Sequence, residues 1–383
     1  MDYGALKKIY QEKYDKEARV FRSPGRINLI GEHTDYNNGF VLPAAVDKEI
    51  CMLAAPNGLN ETRIFSIDEN SEVIFNLENY KSIRINWALY IIGVIDELLK
   101  ASYKLNNLDI VFTGNIPMGA GMSSSAALEC VTTFTYNALF DLKLSKWDIV
   151  RISQAAENNY VGVMCGIMDQ FASVFGQENA ALKLDCRSLE FKAYPVNVSS
   201  HVFVLVDTMV KHSLASSEYN TRRIECEEAV SAMKKVNSEI NSLRDADHES
   251  LNDVKDDISR EAYKRGAYII NEIERVEKAT KELSNNNVDC FGELLYETHR
   301  GLQHNFEVSC TELDFLVEQT KKMSYVVGSR MMGGGFGGCT INLVKSEHVE
   351  EFKEEISRKY LEKFEIQPSI YSVKTANGTS EIN

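Results

Sequence analysis

The stretch PMGAGMSSSAAL, residues 117–128, follows the strand-like run LDIVFT at 108–113 and passes straight into the helical spacing of residues 123–140. Gly119 and Gly121 let a backbone approach a ligand closely. The serines that follow, Ser123, Ser124 and Ser125, bring hydroxyls and N–H groups to a helix start, where unpaired donors and the helix dipole favour an anion. Phosphate suits such a loop, and a serine hydroxyl there reaches a Mg2+ ion bridging phosphates. A serine helix cap with a flexible glycine lead-in accounts for the same residues equally well. The stretch is no Walker A loop, because no lysine follows its glycines.

Outward from that stretch, strands and helices mix. Strand-like runs precede it at 49–54, 63–66 and 72–75, and residues 87–103 carry the apolar spacing of a helix. Before them, an amphipathic opening helix leads into 21–40, which reads as two extended segments with a hairpin signal at Asn38-Gly39. Downstream, helical spacing resumes at 146–160 and strands return at 180–194; VFVLVDT at 202–208 is a continuous apolar run that predicts a buried strand. Helices are expected at 218–236, 260–279 and 310–322, then strands at 325–328, 339–344 and 369–373. No strict βαβ order and no fixed-period repeat emerges, which points to the α+β class. At roughly 100–200 residues per domain, the chain suggests two domains, divided at 1–197 and 198–383.

Composition narrows the function. With 44% hydrophobic and 26% charged residues and 6 prolines, the chain is that of a packed globular protein. A net charge of −14 argues against nucleic acid or an anionic membrane as partner, since a phosphate backbone requires a basic stripe. The charge-dense region 244–265 mixes both signs at helical spacing and reads as a solvated face or loop. All 8 cysteines stand singly, without the spacing of a zinc or dithiol site. The N-terminus lacks the apolar core of a signal peptide, and no run of 18 apolar residues is present. Together these features place the chain in a reducing cytoplasm.

Glu32, His33, Thr34 and Asp35 are consecutive polar residues between the apolar NLI and the NNG turn, and with Arg26 they form a dense set of donors and acceptors. Sugar hydroxyls require such mixed bonding, although a polar surface loop has the same look. Asp169, in CGIMDQFAS, fits a helix N-cap or a carboxylate that takes the proton of a substrate hydroxyl. Glu157, on the helix expected just upstream, fits a surface residue or a hard-oxygen ligand for Mg2+. GGGFGG at 333–338 has the spacing of a dinucleotide fingerprint but leads into a strand, so a tight turn or close backbone approach near a site suits it better.

Three separated segments, GRINLIGEHTDYNNG (25–39), PMGAGMSSSAAL (117–128) and RMMGGGFGGCTINLV (330–344), resemble in this order the three motifs of the GHMP kinases, and the first resembles the galactokinase signature. CGIMDQF (165–171) and VKHSLASSEYNTRR (210–223) are also similar to galactokinase segments, so the likeness spans most of the chain. It implies a two-lobed GHMP kinase fold of α+β class, with an N-terminal lobe like ribosomal protein S5, a ferredoxin-like C-terminal lobe and the active site in the cleft between them. The last strand, near 369–375, is expected to pack back on the N-terminal lobe.

The implied activity is transfer of the ATP γ-phosphoryl group to the 1-hydroxyl of D-galactose, with Mg2+ as cofactor. Galactose and Mg-ATP are the implied partners of a cytoplasmic monomer that engages no nucleic acid, membrane or obligate protein partner. The resemblance makes Asp169 the catalytic carboxylate and Arg26 the cation that orients it or stabilises the transferring phosphoryl. Glu32, His33, Thr34, Asp35, Gly166 and Tyr219 map to substrate-binding positions. Gly119, Ala120, Gly121, Met122, Ser123, Ser124 and Ser125 would cradle the triphosphate, Ser66 would lie near the nucleotide, and Ser125 with Glu157 would contact Mg2+. Met164 and Met209 stand where bacterial-type members usually carry asparagine, which bears on fine sugar specificity. Kinases for related sugars share the three motifs. Sensor-type relatives that bind both ligands without transfer are expected to have a defective phosphate loop, whereas Ser123 to Ala126 is an intact run here.

Overall fold

A computed structural model describes residues 1–117, 119–196, 200–211 and 215–382. The expected division between 197 and 198 lies outside the described residues, as do Met118 of the serine stretch and residues 212–214 of the VKHS segment. The first half runs α1 (Tyr3–Tyr14), β1 (Arg19–Asn28), β2 (Phe40–Val41), β3 (Pro43–Pro56), β4 (Thr62–Ser66), β5 (Ser71–Phe75), α2 (Asn86–Lys100), β6 (Leu108–Gly114), α3 (Ser124–Phe140), α4 (Lys146–Ala156), α5 (Met168–Phe175), β7 (Ala180–Asp185) and β8 (Phe191–Pro195). The second runs β9 (His201–Lys211), α6 (Ala215–Val236), α7 (His248–Asp253), α8 (Arg260–Ser284), α9 (Val288–Gly301), α10 (Thr311–Thr320), β10 (Val326–Met331), β11 (Gly337–Lys345), α11 (Val349–Phe364), β12 (Ser369–Val373) and β13 (Ser380–Ile382). Among the described residues no helix is long and apolar enough to cross a membrane.

Three sheets organise these elements: a six-stranded one in the order β13-β1-β3-β6-β4-β5, a four-stranded one in the order β10-β11-β9-β12, and a small one, β2-β7-β8. The α+β expectation holds. The run VFVLVDT is buried because β9 is covered on both faces. Phe203 and Leu205 join the main core, while Val204 and Val206 pack with Leu316, Phe352, Ile356 and Tyr360.

A register shift in β1 between Pro24 and Arg26 positions the site. The β1–β3 ladder breaks at Gly25, where a Cβ would meet the Met122 carbonyl at 2.7 Å. Only a residue without a side chain admits that approach, and the next N–H, from Arg26, donates to Met122 O at 3.1 Å. Strand β1 is thereby pinned to the serine stretch.

Four sequence expectations change. Asn38-Gly39 does not turn a hairpin: Asn38 caps a 3-10 turn in the left-handed region, and Phe40 and Val41 pair with Asp185 and Leu184 of β7. Arg265, at the end of the supposedly solvated charge run, is buried, and it pairs with Glu225 and Glu307. The segment expected near 369–375 to pack back on the first half does so only at its end: 369–373 pairs with β9 in the four-stranded sheet, Thr375 bridges Val46 of β3, and β13 then pairs with β1. Helices α9 and α11 add to those expected from spacing.

Candidate active site

Arg26 and Asp169 form a bidentate pair, with Nε donating to Oδ1 at 2.8 Å and Nη2 to Oδ2 at 2.8 Å. Arg26 is buried on β1, Asp169 lies in the first turn of α5, and Nη1 of Arg26 also donates to Gly121 O. Ser123 Oγ donates to Asp169 Oδ2. Ser123 holds the cap position of α3 with φ 54° and makes no side-chain cap bond, so its hydroxyl serves Asp169 and not the helix. Burial opposes the Arg26 charge, but Asp169, Glu32 and Asp35 outweigh it and hold the guanidinium firmly protonated.

This pair stands where two cavities meet. The first, about 470 Å³, is lined by Gly119, Gly121, Met122 and Ser123 to Ser125 on one side and by Met332 to Gly338 on the other. Among its described lining residues Arg26 is the one cation. GGGFGG is the close backbone approach expected: Gly333, Gly335 and Gly338 have φ of +85°, +86° and +78°, and a Cβ at Gly335 would lie 2.2 Å from Val308 O.

The second cavity, about 140 Å³, shares Arg26, Asp169, Gly333 and Gly334 with the first and is otherwise lined by Glu32, His33, Asp35, Glu157, Val163, Cys165, Gly166, Met168 and Tyr219. Burial raises the Glu32 carboxyl, yet Arg330, Arg26 and the Gly333 N–H prevail and keep it below the ordinary range. Burial pushes His33 down to about 4, so its imidazole is neutral. Its Nδ1 meets Tyr36 OH at 2.8 Å, and its buried Nε2 has no hydrogen-bond partner among the described residues. Asp35 is pushed up to about 6, first by burial and then by Asp169. Gly166 lies so near that a Cβ there would be 1.8 Å from Asp35 Oδ2. The Tyr219 ring sits 5.3 Å from His33 and 5.7 Å from Tyr36.

Glu157 opens a π-helical turn, Glu157–Val161, and is buried in the lining of the second cavity. It accepts from Gln170 Nε2 at 2.8 Å; burial and then Asp169 push its carboxyl up, against the Ser125 hydroxyl, which favours the ionised form. Gln170 also reaches Glu129, whose carboxyl burial and Glu157 push well above the ordinary range. No group of three or more His, Cys, Asp or Glu among the described residues forms a ready metal cage. A serine hydroxyl and a carboxylate are nevertheless hard-oxygen donors of the kind Mg2+ takes from a protein when phosphates and water fill its other positions. Ser66 ends β4 on a third cavity, about 690 Å³, with Trp87, Tyr90 and Phe112, and this cavity shares Ser124 and Ser125 with the first.

Two expected contacts fall elsewhere. Thr34 is fully buried and its hydroxyl is directed to the carbonyls of Gly31 and Phe40, at 2.9 and 2.6 Å, so it shapes the loop and does not line the sugar-sized cavity. Ala120 packs into the core. Residues that motif reading passed over include Arg330, Tyr268 and Glu272, which hold the 28–33 segment from the other half of the chain. A cation at the head of an apolar, glycine-rich motif, in a chain this acidic, was the available signal for Arg330.

Comparison with known proteins agrees in the placement of the motifs. The family model for the galactokinase galactose-binding signature matches residues 8–56, that for the GHMP kinases N terminal domain matches 89–177, and that for the GHMP kinases C terminal matches 279–363. The chain is 41% identical over 383 residues to the galactokinase of Clostridium acetobutylicum, covering 99% of this chain and 97% of that one. It is 41% identical over 362 residues to the galactokinase of Thermosipho africanus, covering 94% and 99%. The crystal structure of Lactococcus lactis galactokinase complexed with galactose superposes with a TM-score of 0.95 at 34% identity over 100% of both chains. A mevalonate kinase, at 18% identity and a TM-score of 0.64 over 94% of this chain, shares the fold.

Proposed function

This chain belongs to the galactokinases of the GHMP kinase family, and from that premise we infer that it transfers the γ-phosphoryl group of ATP to the 1-hydroxyl of D-galactose, the first step of galactose catabolism. The observation that carries the mechanism is the Arg26–Asp169 pair at the junction of the two cavities. Galactose occupies the smaller cavity. The Glu32 carboxylate accepts hydroxyl hydrogens, neutral His33 presents Nε2, and Asp35 and the Tyr219 ring close the walls. A buried site with so many fixed donors and acceptors discriminates by leaving its own groups unpaired when a sugar hydroxyl is missing or inverted.

The triphosphate lies between the serine stretch and the GGGFGG turn, where N–H groups and the start of α3 face its oxygens. Its nucleoside extends past Ser124 and Ser125 toward Ser66, Trp87 and Tyr90. Ser125 and Glu157 would hold Mg2+, which would supply charge compensation for the phosphate oxygens. The sugar O1 attacks the γ-phosphorus, its proton passes to Asp169, and the bond to the β,γ-bridging oxygen breaks to release ADP. Arg26 fixes the Asp169 carboxylate and offsets charge on the transferring group. The chain divides functionally near 197–198 and works as a cytoplasmic monomer.

Galactose-dependent ADP release in a coupled assay, run beside N-acetylgalactosamine and L-arabinose, tests the reading; binding of galactose and Mg-ATP without any sugar phosphate would replace it with a sensor. D169N is expected to stay folded and lose about 10²–10⁴-fold in kcat. Near-normal turnover by that variant would remove Asp169 from the proton's path.

A further inference from the structure

Between Asn28 and Glu32 the chain leaves the six-stranded sheet, and the second half of the molecule supplies partners for its backbone. Glu272 Oε1 accepts from Gly31 N–H at 2.9 Å, and Tyr268 OH donates to Glu32 O at 3.2 Å. Arg330, fully buried at the end of β10, makes the largest share of these contacts. Its Nε donates to Leu29 O at 2.9 Å, Nη2 donates to Asn28 O, and Nη1 donates to Met331 O at 2.6 Å and to Glu32 Oε1 at 3.0 Å. Glu32 Oε1 also accepts the Gly333 N–H at 3.0 Å. One carboxylate oxygen therefore joins three things: the arginine, the first residue of the glycine-rich turn and the wall of the sugar cavity. Both contacts fall on Oε1, which leaves Oε2 for a ligand.

We propose that Arg330 is a positioning residue that couples sugar recognition to the seating of the glycine-rich turn, acting through Glu32. The proposal rests on the reading of the smaller cavity as the sugar site. Arg330 lines neither the phosphate cavity nor the sugar cavity, so it touches no substrate. It holds Glu32 ionised in the rotamer that presents Oε2 and holds the carbonyls of Asn28 and Leu29, fixing where that carboxylate starts. Because Gly333 shares Oε1 with Arg330 and lines both cavities, a nucleotide that settles the turn also settles Glu32, and a sugar bound to Glu32 settles the turn. Such linkage is reciprocal: each ligand raises affinity for the other by the same factor.

R330M keeps much of the side-chain volume and removes the charge and the fork; R330K keeps the charge and loses the fork. Loss of a charged hydrogen-bond anchor behind the sugar contact is expected to raise the galactose Kd and KM by about 10- to 100-fold in R330M, with kcat at saturating sugar changing far less. Calorimetric titration of galactose with and without a non-hydrolysable ATP analogue and Mg2+ should show mutual enhancement in the wild-type protein that falls toward unity in R330M, with R330K between. The double variant E32Q/R330M is expected to bind galactose no worse than E32Q alone, the non-additivity of two residues acting as one. Folded R330M or R330K with wild-type galactose affinity and undiminished coupling, or additive losses in the double variant, would overturn the proposal. Should R330M fail to fold, R330K and its cycle with E32Q carry the same measurements. If the wild-type enzyme proves to use a different hexose, the titrations are made with that sugar, so failure of the galactose reading and failure of the coupling are told apart.

Discussion

The Asp35 carboxyl lines the smaller cavity, and its protonation state bears on what that cavity binds. Burial and Asp169 lift its carboxyl to about 6, above the ordinary aspartate range. With the folded value above the unfolded one, its contribution to stability is complete below about pH 4 and is lost as pH rises through about 6. Sugar binding has the opposite sign, because only the ionised carboxylate accepts two hydroxyl hydrogens. Galactose affinity should strengthen between pH 5 and pH 7 with a midpoint near 6, and titration of D35N should give a flat profile over that range; a midpoint that persists in D35N belongs to another group. Gly166 bears on the same carboxylate. A methyl group 1.8 Å from Oδ2 forces Asp35 aside, so G166A should raise the galactose KM by about tenfold or more while leaving the ATP KM near normal. At this scale Arg26, Glu32, His33 and Asp169, each singled out in the sequence beside a plainer reading as polar loop or helix cap, come together on the lining of the smaller cavity. Sequence reading misplaced Thr34 and Ala120, because side-chain direction within an irregular loop is decided by the carbonyls and core around it, and neither is written in adjacent residues.

Helix α3 begins on a strained residue. Ser123 has φ 54° and ψ 57°, a left-handed conformation that costs a non-glycine residue roughly 1–2 kcal/mol, and its hydroxyl turns away from the helix to Asp169. Stability and catalysis should separate here: S123G is expected to exceed S123A in stability by about 1 kcal/mol in chemical denaturation, while both lose turnover through the vacated Asp169 contact. Equal stability of the two variants would dismiss the strain. The same element shows what spacing conveys and what it hides. Strand LDIVFT, the serine stretch and the helix were legible in order, since each carries its own period. The polar loop 32–39 was not, because Asn38-Gly39 follows a 3-10 turn whose partner strand, β7, lies far along the chain. Helix α9 escaped because Gly292 interrupts its pattern, and the structure explains the glycine: it packs against β10, where an added Cβ would sit 2.0 Å from Val327 O.

Across the whole molecule, the two halves complete one another's sites. The main core runs from Phe21 of β1 through Ile269, Ile273 and Val276 of α8 to Val373 of β12, and β13 closes the chain back onto β1. The sugar cavity draws Arg26, Glu32, His33, Asp35 and Asp169 from the first half and Tyr219, Gly333 and Gly334 from the second. Its loop is braced by Tyr268, Glu272 and Arg330, all from the second half. A fragment of residues 1–197 would therefore hold most of the recognisable sugar motif yet lack one wall of the cavity and the braces of its loop, with Gly31 and Gly39 stripped of Val276 and Ile273 of helix α8, which pack against them. Exposed apolar surface of that kind destabilises the fragment in proportion to its area, about 25 cal/mol per Å². The expectation is that the fragment binds no galactose in calorimetry at concentrations that saturate the full chain, and that adding residues 198–383 by co-expression restores binding. Galactose binding by the fragment alone, at an affinity near that of the full chain, would show that the first half is a self-sufficient sugar module and that the second contributes only to phosphoryl transfer.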